Sequence, residues 1–210
     1  MSSHATASRI PTVPGVSLEP LDVELHLAML HSWVTHPRSR FWMMQRATRK
    51  DVRTEYQKIA ADPHHDAWLG RVDRVPAFLA ETYDPQHSPL AGRYDREPGD
   101  LGMHVLVAPT DEPVPGFTRR VFAAVMAHCF ADPAVHRVVV EPDERNHAIA
   151  EMNARAGFLV DRVIDLPDKR AALSLCTRER FADSPLGTQG PWGTQGPWGT
   201  QGPRGRQETA

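Results

Sequence analysis

The stretch from Gly99 to Phe130 constrains the fold of this chain more than any other, because it joins a strand, a loop and a helix. Its first part, Leu101–Val107, is an apolar run that predicts a strand carrying His104. A turn-rich loop follows and ends at Gly116. Next comes a predicted helix, whose apolar side chains recur at the spacing of one buried face: Val121, Phe122, Val125, Met126 and Cys129. The first amides of a helix are unpaired and attract anions, so the stretch predicts an anion site just downstream of a histidine.

Composition limits the classes of protein to which the chain can belong. Its 210 residues, 40% of them hydrophobic, are enough for one buried core and predict a single domain. A formal net charge of -2 gives no overall electrostatic case for nucleic-acid binding. An apolar run of about 18 residues, which a membrane span needs, does not occur.

Cysteine usage and the first residues indicate where the protein resides. Cys129 and Cys176 lack metal-ligand spacing, so we expect buried thiols in a reducing compartment. The polar, proline-bearing residues 1–14 lack the apolar core of a secretory signal. A cytoplasmic protein is therefore expected.

Changes in composition divide the chain into three parts. Residues 1–15 predict a flexible leader, and residues 16–183 predict the folded domain. In residues 184–210 the hexapeptide GTQGPW occurs twice and returns a third time with Arg204 in place of tryptophan. Glycine and proline in every repeat prevent regular helix, and little apolar surface is present to offset the entropy of ordering. This part is predicted to be a disordered tail.

Two helices and a hairpin are predicted before the central stretch. The helix Leu25–Thr35 has one apolar face and ends before a proline. Thr48 is the predicted N-cap of the helix Asp51–Ala61, and Asp51 takes the third position of a capping box in place of the usual glutamate. The apolar runs 67–72 and 75–81 predict a hairpin.

Two other segments of the first half leave alternatives open. The cluster Phe41–Met44 is typical of a core, yet thioether and indole side chains also line alkyl pockets. The polar loop Tyr83–Pro98 fits a cover over a substrate as well as a solvated connection.

Strand and helix alternate after the central stretch. The β-branched run Arg137–Val140 is typical of a strand covered on both faces. A helix is predicted over Asn146–Ala156, with Gly157 capping its end. Two closing strands follow, at 158–164 and 171–176. Together with the earlier hairpin, this order predicts a mixed α/β sheet.

The order of these elements, together with NHAIAEMNARAGF at residues 146–158, resembles the GNAT superfamily of acyl-CoA-dependent N-acyltransferases. The resemblance covers roughly residues 16–182 and implies a mixed central sheet of about seven strands flanked by about four helices. Asp100–His104 and Glu141–Asn146 resemble the branch that acylates amines or hydroxylamines during siderophore assembly. His31–Pro37 with Phe41–Met44 is similar to acyltransferases of the desferrioxamine pathway.

The resemblance implies a reaction as well as a fold. Acetyl-CoA or succinyl-CoA would acylate the N-hydroxyl amine of an N-hydroxylated diamine such as N-hydroxycadaverine, and the product would be a hydroxamate. Acylation of N6-hydroxylysine or of a lysine side chain is the nearest enzymatic alternative. A non-catalytic acyl-CoA-binding module, in which His104 is only structural, is the alternative from another class. No metal is implied, and the chain is expected as a monomer or a homodimer.

Catalytic residues follow from matches to the branch's motif. His104 matches its histidine and Asp143 its aspartate. An imidazole that titrates near neutrality can accept the proton released during acyl transfer, although a satisfied structural histidine is the plain alternative. Asp143 is expected to orient His104 or to hold the substrate's N–OH group, and helix capping is its alternative role.

Binding residues complete the predicted site. Alternatives stay open for some of them: Asn146 also fits a helix cap, and Trp42 and Met43, which are predicted to line the substrate pocket, also fit a core. The predicted cofactor-binding residues are Val105, Leu106, Val107, Gly116, Phe117, Thr118, Arg119, Arg120, Asn146 and Asn153. The predicted substrate-binding residues are Trp42, Met43 and Gln45.

The chain departs from the superfamily pattern at two places. In the pyrophosphate loop Q/R-x-x-G-x-G/A, Pro113 and Thr118 replace the first and last residues, so binding would depend on backbone amides. Asn153 stands where many members have a tyrosine that protonates the departing thiolate. An amide cannot donate that proton, so water supplies it or the thiol, with a pKa of about 8.5, leaves as thiolate.

Overall fold

The computed structural model describes residues 13–188, whose strands and long helices follow the predicted order. The strands are β1 (Val16–Pro20), β2 (His65–Val72), β3 (Val75–Tyr83), β4 (Asp100–Val107), β5 (Arg137–Val140), β6 (Leu159–Asp165) and β7 (Arg170–Thr177). The helices are α1 (Val23–Val34), α2 (Arg49–Ala61), α3 (Phe117–Cys129), α4 (His147–Arg155), α5 (Arg178–Ala182) and α6 (Pro185–Thr188). Short 3-10 helices lie at Pro37–Trp42 and Pro85–His87. None of the described helices is long and apolar enough to cross a membrane.

The described strands form one seven-stranded sheet in the order β1-β2-β3-β4-β5-β7-β6. Every neighbouring pair is antiparallel except β4 and β5, which are parallel. This confirms the predicted mixed sheet and its hairpin. The pairing of β4 with β5 runs only from Asp100 opposite Arg137 to Gly102 opposite Val139. Beyond Gly102 the strands separate, and His104 lies beside the gap.

Helices cover the two faces of the sheet because successive strand residues point to opposite sides. Phe78 on β3 packs in the cluster that contains the buried face of α3, including Val121 and Phe122. Its neighbour Leu79 packs on the opposite side, in the cluster formed by α1 and α2. Cys129 and Cys176 are both buried free thiols, as the sequence predicts.

The start of α2 has the predicted capping box. Thr48 Oγ1 accepts a hydrogen bond from Asp51 N at 3.2 Å, and Asp51 Oδ2 accepts one from Thr48 N at 2.8 Å. The helix thereby presents Tyr56 to the core, where its hydroxyl accepts a bond from Trp42 Nε1 at 3.1 Å. The cap therefore helps to place one wall of the cavity described below.

Two segments that the sequence assigns to a tail or leaves open as a loop are ordered against the core. Residues 185–188 of the predicted tail form α6, and Leu186 is buried in the main core. The rest of the tail and residues 1–12 of the predicted leader lie outside the described residues. The segment 83–98 is more than a solvated connection, because Leu90 and Tyr94 are buried against β5 and β7.

Replacing Thr48 by alanine should lower the free energy of unfolding by about 1 kcal/mol, because it removes a side-chain N-cap. Thr54→Ala is the matched control, since Thr54 is an exposed residue within the same helix and alanine is the better helix former there. Urea unfolding followed by circular dichroism measures both. Equal losses in the two variants would contradict the assigned cap.

Candidate active site

A cavity of about 970 Å³ opens where β4 and β5 separate. Its walls come from the 3-10 helix Pro37–Trp42, α2, β3, β4, the residues after β5, and α4. His104 lines this cavity, and the edge of the Trp42 ring approaches its imidazole at 6.1 Å between centroids. The strand histidine therefore faces open space.

Two buried glutamates hold the His104 imidazole from both sides. Glu81 lies directly opposite His104 across β3 and β4, and its Oε2 is 3.1 Å from Nδ1. Glu141 follows β5, and its Oε1 is 2.6 Å from Nε2. Each glutamate is only 6% exposed. Ring position and orientation are thus set by charged hydrogen bonds from two neighbouring strands.

Glu141 has two further partners that hold it in place. The Tyr83 hydroxyl donates a hydrogen bond to Glu141 Oε2 at 2.7 Å, and Lys169 Nζ lies 3.6 Å from Oε1. Burial, followed by the nearby Glu141 charge, raises the pKa of Tyr83 well above its ordinary value, so the phenol keeps its proton. The Tyr83 ring fits because residue 102 is glycine, and a Cβ there would overlap that ring.

The charges of the cluster differ from those predicted. Burial alone would lower the pKa of His104, but the charges and hydrogen bonds of Glu141 and Glu81 raise it to about 10. Burial would also raise the pKa of Glu141, but the His104 charge lowers it to about 2. With its pKa raised in this way, the histidine is an imidazolium between carboxylates at neutral pH, whereas the sequence predicts an imidazole that titrates near neutrality.

Asp143 does not take the role of orienting His104. Its carboxylate accepts hydrogen bonds from the Arg145 guanidinium at 2.8 and 2.6 Å and from Arg145 N at 2.9 Å. Asp143 therefore braces the turn between β5 and α4, and Glu141, two residues earlier, contacts the imidazole instead. A contact of Asp143 with a substrate's N–OH group stays a prediction.

A second, open groove of about 410 Å³ lies at the start of α3. Gly116 precedes the helix with φ of +82°, and no side chain caps the helix among the described residues. The groove is lined by Thr118 and Arg119 from α3 and by Met152 and Arg155 from α4. Unpaired helix amides next to guanidinium groups fit a phosphate-bearing ligand.

Arg120 lies apart from this groove, although the sequence predicts it as a cofactor contact. Its guanidinium donates to Asp73 at 3.3 Å and to the Pro14 carbonyl at 2.7 Å. Arg119, its neighbour on the helix, lines the groove instead. The two neighbouring guanidinium groups therefore point in different directions, that of Arg119 to the groove and that of Arg120 to Asp73.

The other predicted binding residues fall into two groups. Those that line the main cavity are Trp42, Met43, Val105, Leu106, Asn146 and Asn153. Gln45 instead donates to the Ser39 carbonyl at 2.7 Å, and Phe117 packs against the core. Val107 is outside the cavity's lining. Asn146 also accepts a bond from Ile149 N at 3.4 Å, which is its alternative role as helix cap.

α4 borders both the cavity and the groove. Asn153 faces the cavity, while Met152 and Arg155 line the groove. Asn153 is 5% exposed, and its Oδ1 has no hydrogen-bond partner within the described part of the chain. A buried amide oxygen without a partner is costly, and this one lies in the cavity wall, so contact of Asn153 with a ligand stays a prediction.

Sequence reasoning missed Glu81, Tyr83, Glu141 and Lys169 as members of the site. For Glu81 a signal exists, because a carboxylate inside the apolar strand Val75–Tyr83 demands a buried partner. No local pattern distinguishes Lys169 from a surface lysine, since only the fold brings the residues before β7 to Glu141.

Known proteins are similar to this chain in sequence and in fold. A family model described as an acetyltransferase (GNAT) domain matches residues 22–166. The N(5)-hydroxyornithine:cis-anhydromevalonyl coenzyme A-N(5)-transacylase SIDF of Beauveria bassiana is 33% identical over 176 residues, which are 83% of this chain and 38% of that protein. This chain thus spans well under half the length of that relative.

Two further proteins are matched by this chain over most of their own length. The N-hydroxyputrescine acetyltransferase of Acinetobacter baumannii is 25% identical over 155 residues, which are 74% of each chain. AAC(6')-Ib, solved with ribostamycin and coenzyme A, has a TM-score of 0.72 at 23% identity, over 80% of this chain and 97% of that one. At this sequence identity, the similarity shows a shared fold alone. Since the family model covers more than half of the chain, this protein belongs to the GNAT acetyltransferase-domain family.

Proposed function

We propose that this protein transfers an acyl group from acetyl-CoA or succinyl-CoA to the N-hydroxyl amine of an N-hydroxylated diamine, such as N-hydroxycadaverine, in hydroxamate siderophore biosynthesis of the desferrioxamine type. The observation that carries the proposal is the position of α4 between the groove at the start of α3 and the cavity that contains His104. A thioester whose phosphates lie in the groove reaches the cavity along this helix.

The residues at the groove fit the co-substrate's pyrophosphate. The backbone amides of Thr118 and Arg119, in the first turn of α3, supply donors, and the Arg119 and Arg155 side chains supply positive charge. Asn153 lies between Met152 and Arg155 in α4 but faces the cavity, where the thioester end would pass, and its side-chain oxygen would gain a partner there. Neither contact needs the basic residue that Pro113 replaces in the superfamily loop.

Acyl transfer to nitrogen releases one proton as the C–N bond forms and the C–S bond breaks. The hydroxylamine nitrogen is unprotonated near neutral pH, in contrast to an alkylamine with a pKa of about 10.4, so it needs no prior deprotonation. In the tetrahedral adduct the nitrogen carries a positive charge, so its N–H group is far more acidic than that of the free hydroxylamine. We place its proton acceptor at the Glu141 carboxylate, which lines the cavity and is held 2.6 Å from the protonated His104. The coenzyme leaves as thiolate, and the His104–Glu141 pair then returns the proton to solvent, so that no net charge is left on the protein.

The cavity walls suit a diamine. Trp42, Met43 and Leu106 supply apolar surface for a methylene chain. On α2, Asp51, whose Oδ2 caps the helix, and Glu55, which pairs with Lys58 at 3.4 Å, line the same cavity and place negative charge near a distal ammonium group. The relative of similar length is named for N-hydroxyputrescine, which is also a diamine derivative.

A hydroxylated amino acid such as N6-hydroxylysine is the second candidate substrate, and one side chain favours it. Arg40 lines the cavity, stacks its guanidinium on Phe41 at 4.7 Å, and has no carboxylate partner among the described residues. Such a group suits the α-carboxylate of an amino acid. The relative named for hydroxyornithine points the same way.

Purified protein with acetyl-CoA should release free thiol when N-hydroxycadaverine is added, and the rate should exceed that with cadaverine itself. N6-hydroxylysine is the competing acceptor, and kcat/KM for the two decides between the candidate substrates. Arg40→Gln should lower kcat/KM only for the amino acid. Absence of thiol release with both acceptors would leave the non-catalytic acyl-CoA-binding module as the remaining candidate.

His104→Gln should lower kcat by roughly 100-fold or more, because it removes the histidine of the proton-accepting pair. Glutamine keeps an amide donor for the buried carboxylates, which helps the variant to fold. KM for acetyl-CoA should stay close to the wild-type value, because the phosphates lie in the separate groove. His128→Ala is the control, since His128 packs on Trp68 away from the cavity lining. Unchanged turnover in His104→Gln would remove the assigned role.

His104 should remain protonated until the pH approaches about 10, which imidazole nitrogen NMR measures directly. Its folded pKa is raised, so its contribution to stability is complete below about pH 6.5 and is lost as the pH rises through about 10. His128 serves as the comparison within the same protein. Burial lowers its pKa, so its imidazole should lose its proton at a lower pH than an ordinary histidine does. A neutral His104 at pH 8 would contradict the paired cluster.

A further inference from the structure

The geometry points to a divalent transition-metal site formed by His64, Asp84 and His87, apart from the active-site cavity. One ligand atom from each of the three side chains lies within 4.8 Å of the other two. The sequence shows no ligand spacing here, because His64 lies 20 positions before Asp84. The hairpin of β2 and β3 brings them together, since His64 immediately precedes β2 and Asp84 immediately follows β3.

One pair of ligand atoms, from Asp84 and His87, is already at the separation found around one ion. Two ligand atoms at 2.0–2.1 Å from a tetrahedral zinc ion are about 3.3 Å apart. His87 Nδ1 and Asp84 Oδ2 are 3.2 Å apart, and the His64 and His87 rings lie face to face with centroids 3.5 Å apart and planes 2° apart. A ring nitrogen binds a metal in the plane of its ring, and these two planes are parallel, so the exposed His64 side chain has to rotate before its nitrogen completes a three-ligand set with one open position for water.

The backbone holds the three residues in place without the metal. Asp84 N donates to the His64 carbonyl at 2.9 Å, and His87 N donates to the Asp84 carbonyl at 3.0 Å. His64 N donates to Asp62 Oδ1 at 2.9 Å, which fixes the turn before β2. Little backbone ordering is therefore required on binding, and such preorganisation favours affinity.

The two oxygens of Asp84 have different partners. Oδ1 accepts from Gln86 N at 2.9 Å and from Arg96 at 3.2 Å, as a ligating carboxylate is held by outer groups. Oδ2 faces His87, and an ion there would replace the single imidazole proton between them. Two imidazoles and one carboxylate suit Zn²⁺ and its transition-metal neighbours better than Mg²⁺ or Ca²⁺.

This site is separate from the proposed reaction, because none of its three residues lines the active-site cavity. Metal binding at this position would affect the structure of the sheet. Asp84 directly follows Tyr83, whose hydroxyl holds Glu141, so a bound ion would tie the end of β3 to the turn before β2. Binding to the folded chain alone would raise the melting temperature.

Zn²⁺ titration of the untagged full-length protein by calorimetry tests the site, with a thermal melt at each concentration. One saturable Zn²⁺ per chain and a rise in melting temperature are expected. His87→Gln and Asp84→Asn should each weaken Zn²⁺ binding by at least tenfold, as loss of one ligand requires. His147→Gln, which alters an exposed histidine at the start of α4, should bind Zn²⁺ as the wild type does.

Two results would overturn the proposal. One is the absence of saturable Zn²⁺ binding in the wild type. The other is binding that survives both His87→Gln and Asp84→Asn, which indicates an adventitious ion only. Neither result bears on acyl transfer, because thiol release is measured separately in the presence of a chelator.

Discussion

The ion pairs of His104 with Glu81 and Glu141 are the interaction on which this structure depends. Burying one unpaired carboxylate costs several kcal/mol, and here two lie almost fully inside the protein. They are tolerated because the imidazolium between them, together with Lys169 beside Glu141, balances their charge. The cluster joins β3, β4 and the end of β5 at the point where β4 and β5 separate, and so it holds the cavity open at a defined place.

The same separation links the two binding regions. Paired strands would fill the gap with backbone hydrogen bonds, whereas separated strands leave a space that α4 borders on one side. One face of this helix reaches the cavity through Asn153, and its neighbours Met152 and Arg155 reach the groove at the start of α3. The proposed transfer of an acyl group from a phosphate-bearing donor to a small amine rests on this shared helix.

Local patterns predicted much of the fold. Apolar periodicity placed α1, α2, α3 and α4 to within a few residues, because each helix buries one face against the sheet. The capping box at Thr48 and the hairpin turn were predicted from short-range chemistry alone. The tail boundary was less accurate, since Leu186 is held by the core and not by any local signal.

By itself, the sequence determined the order of the elements, the position of His104 on a central strand and the helix start that attracts anions, because each depends on neighbouring residues. Only the tertiary structure decided which carboxylates meet the imidazole. Glu81 and Glu141 lie 23 and 37 positions from His104, and strand register brings them together. Folding likewise directed Arg120 to Asp73 and gathered His64, Asp84 and His87. Such pairings depend on which strands are adjacent, which no local pattern contains.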